Sequence, residues 1–230
     1  MVVEKWYPVS QDFGLIQAPM DQVVDGLLAW HRSIGFAYER RDIATCLADA
    51  FDALPPLSAD GQRKLFVRTA SDWVAFYQSG IQGSDPFPVM SYLAQRLGVL
   101  AMRVCSTGAP WPATMWEVYA PEALGGTPPL GYRRAIAASN DGGRWVFHQS
   151  GTSYEFEQAA RYGMPRKRDR FTRAMLCEYL KHFGIEAFAD DFLRVGSEAP
   201  AIWLQRTQPV SRQPGFSLAE VVAGVPWRKK

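Results

Sequence analysis

The chain has 230 residues, of which 47% are hydrophobic and 21% are charged, and its formal net charge is +2. This composition is ordinary for a globular protein, and so small a charge does not by itself indicate a nucleic-acid or membrane partner. Its three cysteines are far apart, which argues against a disulfide scaffold and predicts a reducing compartment. With no signal peptide recognised and no apolar run near the roughly 20 residues of a membrane helix, we expect a cytoplasmic protein with no membrane partner.

The first half of the chain alternates helical and extended patterns. Apolar residues at helical spacing predict helices over 21–34 and 43–54, and a third that begins at Asp85-Pro86 and ends at Gly98. Alternating or β-branched runs predict strands, which cover 5–16, 65–68, 72–78, 99–106 and 114–120.

The second half contains a hairpin followed by the clearest helix. Two strand-like runs, 132–139 and 144–149, flank Asn140-Asp141-Gly142-Gly143, a tetrapeptide that tolerates the positive φ of tight turns. Apolar residues at helical spacing over 171–183 precede Gly184, which is a typical helix stop. Segments 188–195 and 201–206 predict short strands at a sheet edge.

These elements predict an α+β fold with a mostly antiparallel central sheet and about four helices packed on one face. We expect one domain over residues 1–207. Residues 208–230 contain three prolines and predict an extended C-terminal arm with one helical turn near 218–222.

Motifs of the common catalytic sites are missing from the sequence. We find no G-x-G-x-x-G after a strand, no phosphate-binding P-loop, no H-E-x-x-H and no C-x-x-C. The sequence therefore predicts no cofactor, no metal and no catalytic residues. The best enzymatic alternative is a hydrolase that uses His148 on the polar face of its strand with Glu155 or Glu157.

The strongest charge feature is a basic run between residues 161 and 173. Six basic residues accompany one acid, Asp169, and the basic residues are Arg161, Arg166, Lys167, Arg168, Arg170 and Arg173. One interpretation is a patch for phosphate, nucleic acid or an acidic protein surface. The other is the solvated start and outer face of the following helix, with arginines paired to Glu155, Glu157 and Asp169. The cations would oppose the dipole at a helix start, so the chain either uses these charges or neutralises them with buried acids.

Residues outside the run extend this candidate surface. Arg133 and Arg134 on the hairpin, together with His148 and Tyr154, complete the predicted partner-binding set. Aromatic residues make up 13% of the chain, more than one core face needs, so we expect some of them to be exposed. Tyr, Trp and Arg are enriched at protein–protein hot spots.

Three blocks resemble a group of uncharacterised bacterial proteins in which similar blocks occur in the same order: SDPFPVMSYLAQRLG, NDGGRWVFHQSG and RDRFTRAMLCEYL. The resemblance covers about residues 73–184 and carries no catalytic residues across. At the level of class, small α+β proteins of this kind resemble immunity proteins of bacterial toxin systems. The sequence thus predicts a non-enzymatic protein-binding module. Its expected role is that of an immunity protein that binds the active surface of a toxin, and the bound surface of that partner is expected to be acidic. Nucleic-acid or phosphate binding is the alternative.

Overall fold

A computed structural model describes residues 5–108, 111–140, 142–208 and 214–227 of the chain. Its described strands form one ten-stranded sheet, and their bounds are β1 Asp12–Ile16, β2 Tyr38–Ile43, β3 Arg63–Thr69, β4 Val74–Gln78, β5 Ala101–Thr107, β6 Ala113–Tyr119, β7 Tyr132–Asn140, β8 Trp145–Gly151, β9 Leu193–Arg194 and β10 Ala201–Arg206. The described α-helices are α1 Met20–Ser33, α2 Leu47–Asp52, α3 Phe87–Leu97, α4 Arg173–Lys181 and α5 Leu218–Val222. Short 3-10 turns cover Val9–Gln11, Glu122–Leu124, Ala159–Gly163, Lys167–Asp169 and Val225–Trp227.

The sheet runs in the order β2-β10-β3-β4-β1-β5-β6-β7-β8, and β9 pairs with one end of β3. Every pairing between these strands is antiparallel, which confirms the predicted α+β class and antiparallel sheet. The predicted edge position of strand 201–206 is wrong, because β10 lies between β2 and β3. Strand β2 lies at the edge instead. The sequence did not predict this strand, because its four consecutive charged residues lack the alternation of apolar and polar residues.

The prediction that the helices share one face of the sheet is also wrong. Alternate residues of a strand point to opposite faces, and on β3 Leu65 and Phe66 belong to two different hydrophobic clusters. Helices α1 and α3 contribute Val24 and Leu93 to the cluster around Phe66. Helices α2 and α4 contribute Phe51 and Leu176 to the cluster around Leu65. The sheet is buried on both faces over much of its width because each helix needs a covered apolar stripe.

The predicted hairpin is present as β7 and β8, with Gly142 and Gly143 both at positive φ; Asp141 of its turn lies outside the described residues. The chain then crosses to the face that carries α4. Helix α4 begins at Arg173, and the Thr172 hydroxyl caps it by accepting a hydrogen bond from the Met175 amide. Residues 161–170 therefore precede the helix, in a segment that contains two 3-10 turns, so they are not its outer face.

The C-terminal residues return to the same face. The Leu57 amide donates to the Phe216 carbonyl, and the Phe216 amide donates to the Leu57 carbonyl. Helix α5 lies where a helical turn is predicted and buries Val221 in the cluster around Leu65. Of the predicted arm 208–230, residues 209–213 and 228–230 lie outside the described residues. No helix in the described ranges is long and apolar enough to cross a membrane.

Candidate partner-binding site

Strand β8 ends the sheet on one side and divides the predicted site residues between two faces. Trp145 and Phe147 pack against the cluster around Leu65, while Val146 and His148 point to the opposite face and are exposed. Gln149 lies on the same face as Phe147. The strand therefore carries His148 away from the segment that follows the hairpin.

Arg134 is buried, although the sequence predicts it in the exposed surface. Its side chain is 1% exposed and forms a bidentate contact with Glu157, at 2.9 Å from Nε to Oε1 and 2.6 Å from Nη2 to Oε2. The remaining N–H groups donate to the carbonyls of Ser150 and Gly151 and to Oε1 of Gln149. We therefore remove Arg134 from the candidate partner-binding residues.

Glu157 joins this pair to the chain that carries the basic run. Its carboxylate accepts hydrogen bonds from the Tyr154 amide at 2.9 Å and the Tyr162 hydroxyl at 2.8 Å. Burial, and then the hydrogen bonds to Tyr179 and Glu157, raise the pKa of Tyr162, so this hydroxyl stays protonated and can donate. The Arg134–Glu157 cluster thus fixes the start of the 159–170 segment to β7 and β8.

Arg170 fixes the other end of that segment. Its Nε donates to the Met164 carbonyl at 2.7 Å, and its guanidinium lies 5.6 Å from the centre of the Phe147 ring. Tyr162 contacts the same ring, with 5.6 Å between ring centroids. Arg170 is half-buried and has a packing role, so it does not belong with the free cations.

Four other cations of the run face solvent, whereas Arg173 is half-buried and its guanidinium lies 4.5 Å from the centre of the Phe188 ring. Arg161, Arg166, Lys167 and Arg168, which we call the basic patch, are all exposed. Within the described ranges, Arg161, Arg166 and Lys167 form no ion pair, and the Arg168 Nε lies 3.7 Å from an Asp169 oxygen at an exposed position. The predicted pairing of arginines with Glu155, Glu157 and Asp169 is therefore not made by Arg161 or Arg166.

Two other residues of the predicted partner-binding set, Arg133 and Tyr154, lie close to the hairpin, but their side chains already contact other parts of the chain. Arg133 donates to the Leu124 carbonyl at 2.7 Å, and its guanidinium lies 4.7 Å from the centre of the Tyr154 ring. Tyr154 is half-buried and packs on Trp116. His148 and Glu157 lie on opposite faces of the sheet, and Glu155 is exposed. The structure does not bring His148 and Glu157 into one site.

Sequence reasoning missed a second charged cluster, on the sheet face opposite Arg134. Arg103 of β5 donates to both carboxylate oxygens of Asp12 on β1, at 2.9 and 2.6 Å. Asp85 lies 3.4 Å and Glu117 lies 3.9 Å from the same guanidinium. These residues are far apart along the chain, so only knowledge of the strand pairing could have found the cluster.

Asp12, Arg103 and Cys105 line a cleft of about 430 Å³. Trp111 and Trp227 also line it and are 53% and 44% exposed. Burial raises the pKa of the Cys105 thiol, which keeps it protonated and a weak nucleophile. In the part of the chain that the structure describes, no three His, Cys, Asp or Glu residues are grouped to hold a metal ion. The guanidinium of Arg103 lies between the carboxylates of Asp12, Asp85 and Glu117.

Comparison with known proteins gives no relative on which to base a function. No model of a known protein family matches the chain, no curated protein matches it, and no solved structure matches its fold.

Proposed function

We propose that this chain is a non-enzymatic protein-binding module that uses the basic patch to dock on an acidic surface of a partner protein. The observation that carries the proposal is that Arg161, Arg166 and Lys167 are exposed and unpaired with acids of the described chain. An immunity protein that covers the active surface of a bacterial toxin is the biological role that we infer from the sequence resemblance.

The support beneath the patch is part of the argument. Exposed cations are commonly only a solvated face, and long side chains lose rotamer entropy when they bind. Here the backbone that carries them is held at one end by the buried Arg134–Glu157 pair and at the other by Arg170 on Phe147. Because this segment is already fixed, it loses less conformational entropy when its charged side chains bind a partner.

A protein partner explains the surroundings of the patch better than a nucleic acid does. Single-stranded nucleic acids bind by stacking their bases on exposed rings beside a basic groove. The rings nearest the patch, Phe147 and Tyr162, are covered by the patch segment itself. Nucleic-acid binding is therefore an outcome of the test below.

The test is capture of the native partner from producing cells, with two charge-reversed variants compared with the wild-type chain. Arg166→Glu/Lys167→Glu changes the patch. Arg32→Glu/Arg96→Glu makes the same change of charge at the exposed ends of α1 and α3, on the opposite face of the sheet. Mass spectrometry then identifies and quantifies the captured proteins, and absorbance at 260 nm measures nucleic acid.

We expect a stoichiometric partner that both the wild-type chain and the control variant retain and that the patch variant loses, by about tenfold or more. Equal retention by all three chains overturns the proposal. Nucleic acid that is lost from the wild-type chain at high salt, without a protein partner, favours the alternative.

A further inference from the structure

The two outer strands of the sheet are built differently. Strand β2 carries four consecutive charged residues, Glu39, Arg40, Arg41 and Asp42, and the Arg40 Nε lies 3.1 Å from an Asp42 oxygen. Charges along an edge strand are a common protection against pairing with another chain, because a new strand would have to desolvate them. The β2 edge is therefore protected against a further strand.

Strand β8 lacks this protection. Its seven residues, WVFHQSG, include no Asp, Glu, Lys or Arg, and Val146 is 49% exposed. Within the described residues β8 pairs only with β7, and apart from that ladder its backbone accepts bonds only at Ser150 and Gly151, from the Arg134 side chain. The backbone groups of alternate residues on the outer side are consequently open to a further strand.

The basic patch determines what kind of strand suits this edge. The 3-10 turn Lys167–Asp169 packs against β8 and β7, and Arg144, directly before β8, is also exposed. A strand added beside β8 would run past Arg144 and the patch, so acidic side chains on it would meet cations. A second copy of this chain is disfavoured, because pairing through β8 about a two-fold axis would bring two basic patches together on one face.

We propose that the outer edge of β8 accepts an extended, acidic segment of a partner protein as an additional strand. This inference rests on the proposed function and specifies how the partner binds. Backbone hydrogen bonds along β8, which spans about 23 Å at the usual rise per residue, supply the attachment. The basic patch selects for acidic side chains in the added strand.

The test uses a fluorescein-labelled heptapeptide of alternating valine and glutamate as the probe. Its control is the same peptide with lysine in place of glutamate. Fluorescence anisotropy measures binding to the wild-type chain, to Arg166→Glu/Lys167→Glu and to Arg32→Glu/Arg96→Glu. Amide hydrogen exchange, followed residue by residue by NMR, then shows which backbone groups the peptide covers.

We expect the glutamate peptide to bind the wild-type chain and the Arg32→Glu/Arg96→Glu variant with equal affinity. It should bind the patch variant about tenfold more weakly, and the lysine peptide should bind the wild-type chain about tenfold more weakly than the glutamate peptide does. On binding, every second amide of β8 should exchange about tenfold more slowly, because only alternate N–H groups point outward. The exchange of β2 amides should not change.

Binding that depends on the patch but leaves β8 exchange unchanged overturns strand addition and leaves the proposed function standing. Absence of binding up to about 1 mM peptide, a range typical of weak contacts, also overturns it. So does slow β8 exchange in a dimer without peptide, which would indicate self-pairing. Displacement of the peptide by a single-stranded oligonucleotide without β8 protection would overturn it in favour of nucleic acid.

Discussion

Arg134 and Arg103 are each held in a bidentate contact by one carboxylate, on opposite faces of the same sheet, but in different surroundings. The Arg134 and Glu157 side chains are 1% and 0% exposed, whereas those of Arg103 and Asp12 are 18% and 7% exposed. The first pair is sealed beneath the chain that carries the basic patch, and the second forms part of the wall of an open cleft. A buried ion pair can thus hold the backbone beneath an exposed, charged segment without being part of the exposed surface.

The comparison also explains why the sequence misleads at Arg134. Nothing in the run Tyr132-Arg133-Arg134 distinguishes the two arginines, yet only Arg134 is fully buried. Arg134 points to the face of Ile136, where Glu157 returns to meet it 23 residues later, and Arg133 stays at the surface. The sealed position is therefore set by a long-range contact and not by local pattern.

Breaking the sealed pair should have the largest effect. Arg134→Met leaves the Glu157 carboxylate buried without its cation, and we expect the free energy of unfolding to fall by about 3–5 kcal/mol. Urea denaturation at pH 7 measures this. The double variant Arg134→Met/Glu157→Gln keeps an acceptor for the Tyr162 hydroxyl and should recover about 1–2 kcal/mol of the loss. A single variant within 1 kcal/mol of wild type, on the scale of an exposed pair, would show that the pair is not sealed.

The same variant tests whether this pair supports the patch. Amide exchange across Ala159–Gly163 should accelerate more than exchange in α1. The reason is that Arg134 holds the Glu157 carboxylate in place, and this carboxylate accepts the hydrogen bond of the Tyr162 hydroxyl. Uniform acceleration throughout the chain would mean that the pair stabilises the whole domain and not the patch segment in particular.

Breaking the open pair should have a smaller effect. Arg103→Met should lower the free energy of unfolding by about 2 kcal/mol at pH 7, since water can reach part of the cluster. Burial already raises the pKa of Asp12, although Arg103 opposes this shift, and the substitution removes the opposition. Between the unfolded pKa of about 3.9 and the raised folded pKa, the folded state binds more protons than the unfolded state, so the loss should shrink as the pH falls. Urea denaturation at pH 7 and pH 5 checks this, and a loss that grows at pH 5 would contradict it.

Local signals were sufficient for those parts of the fold that form from neighbouring residues. The hairpin β7–β8 could be predicted because Gly142 and Gly143 favour the turn and both strands alternate beside it. The apolar stripe of α4 gave its position within a few residues, and Thr172 set its start. The basic patch was visible as a run because all its members lie within eight positions.

Long-range pairing accounts for what could not be predicted. An apolar stripe shows that a helix is buried but not on which face of the sheet, so α1 and α4 looked equivalent. Strand β10 has only six residues and pairs with β2 and β3, which lie far away in the chain. The Arg103 cluster depends on the β1–β5 and β5–β6 registers, which place Arg103 beside Gly14 and Glu117.

Lys64 extends the comparison to a buried cation that forms no ion pair with a described acid. Its side chain is buried, and Nζ donates to Gln78 Oε1 at 2.6 Å and to the Gly61 carbonyl at 3.5 Å, but in the described ranges it forms no ion pair. Burial, and then the charge of Arg206, lower its pKa to about 7. Below that pH the folded state must bury a charge, and the penalty declines as the pH rises from about 7 toward the unfolded pKa of about 10.4.

Lys64→Met should therefore stabilise the chain, by about 2 kcal/mol at pH 6, because it removes the buried charge at the expense of two hydrogen bonds. The advantage should decline toward zero near pH 10. Urea denaturation of both chains at pH 6, 8 and 10 measures the trend. A variant that is less stable than wild type at pH 6 would mean that an unpaired buried cation is tolerated better than the comparison with Arg134 implies.

Asp85 tests the outermost contact of the open cluster and should give the smallest effect. Its φ is +36°, and no other described residue except glycine has a positive φ. A side chain in this region costs about 1 kcal/mol relative to glycine. Its contact with Arg103 involves a carboxylate that is 71% exposed, so the contact contributes no more than about 0.5 kcal/mol. Asp85→Gly should therefore raise the free energy of unfolding by about 0.5 kcal/mol.

The matched variant for Asp85→Gly is Asp85→Asn, which keeps a side chain that tolerates positive φ and removes only the charge. We expect Asp85→Asn to lower the free energy of unfolding by less than about 0.5 kcal/mol, and 1 M salt should abolish the difference because the contact is exposed. Urea denaturation in low and high salt measures both variants. If the two variants are instead equally destabilised by more than about 1 kcal/mol, the Asp85 carboxylate acts as a buried partner of Arg103. The cluster around Arg103 would then be as closed as the one around Arg134, and the contrast between a supporting pair and an open pair would no longer hold.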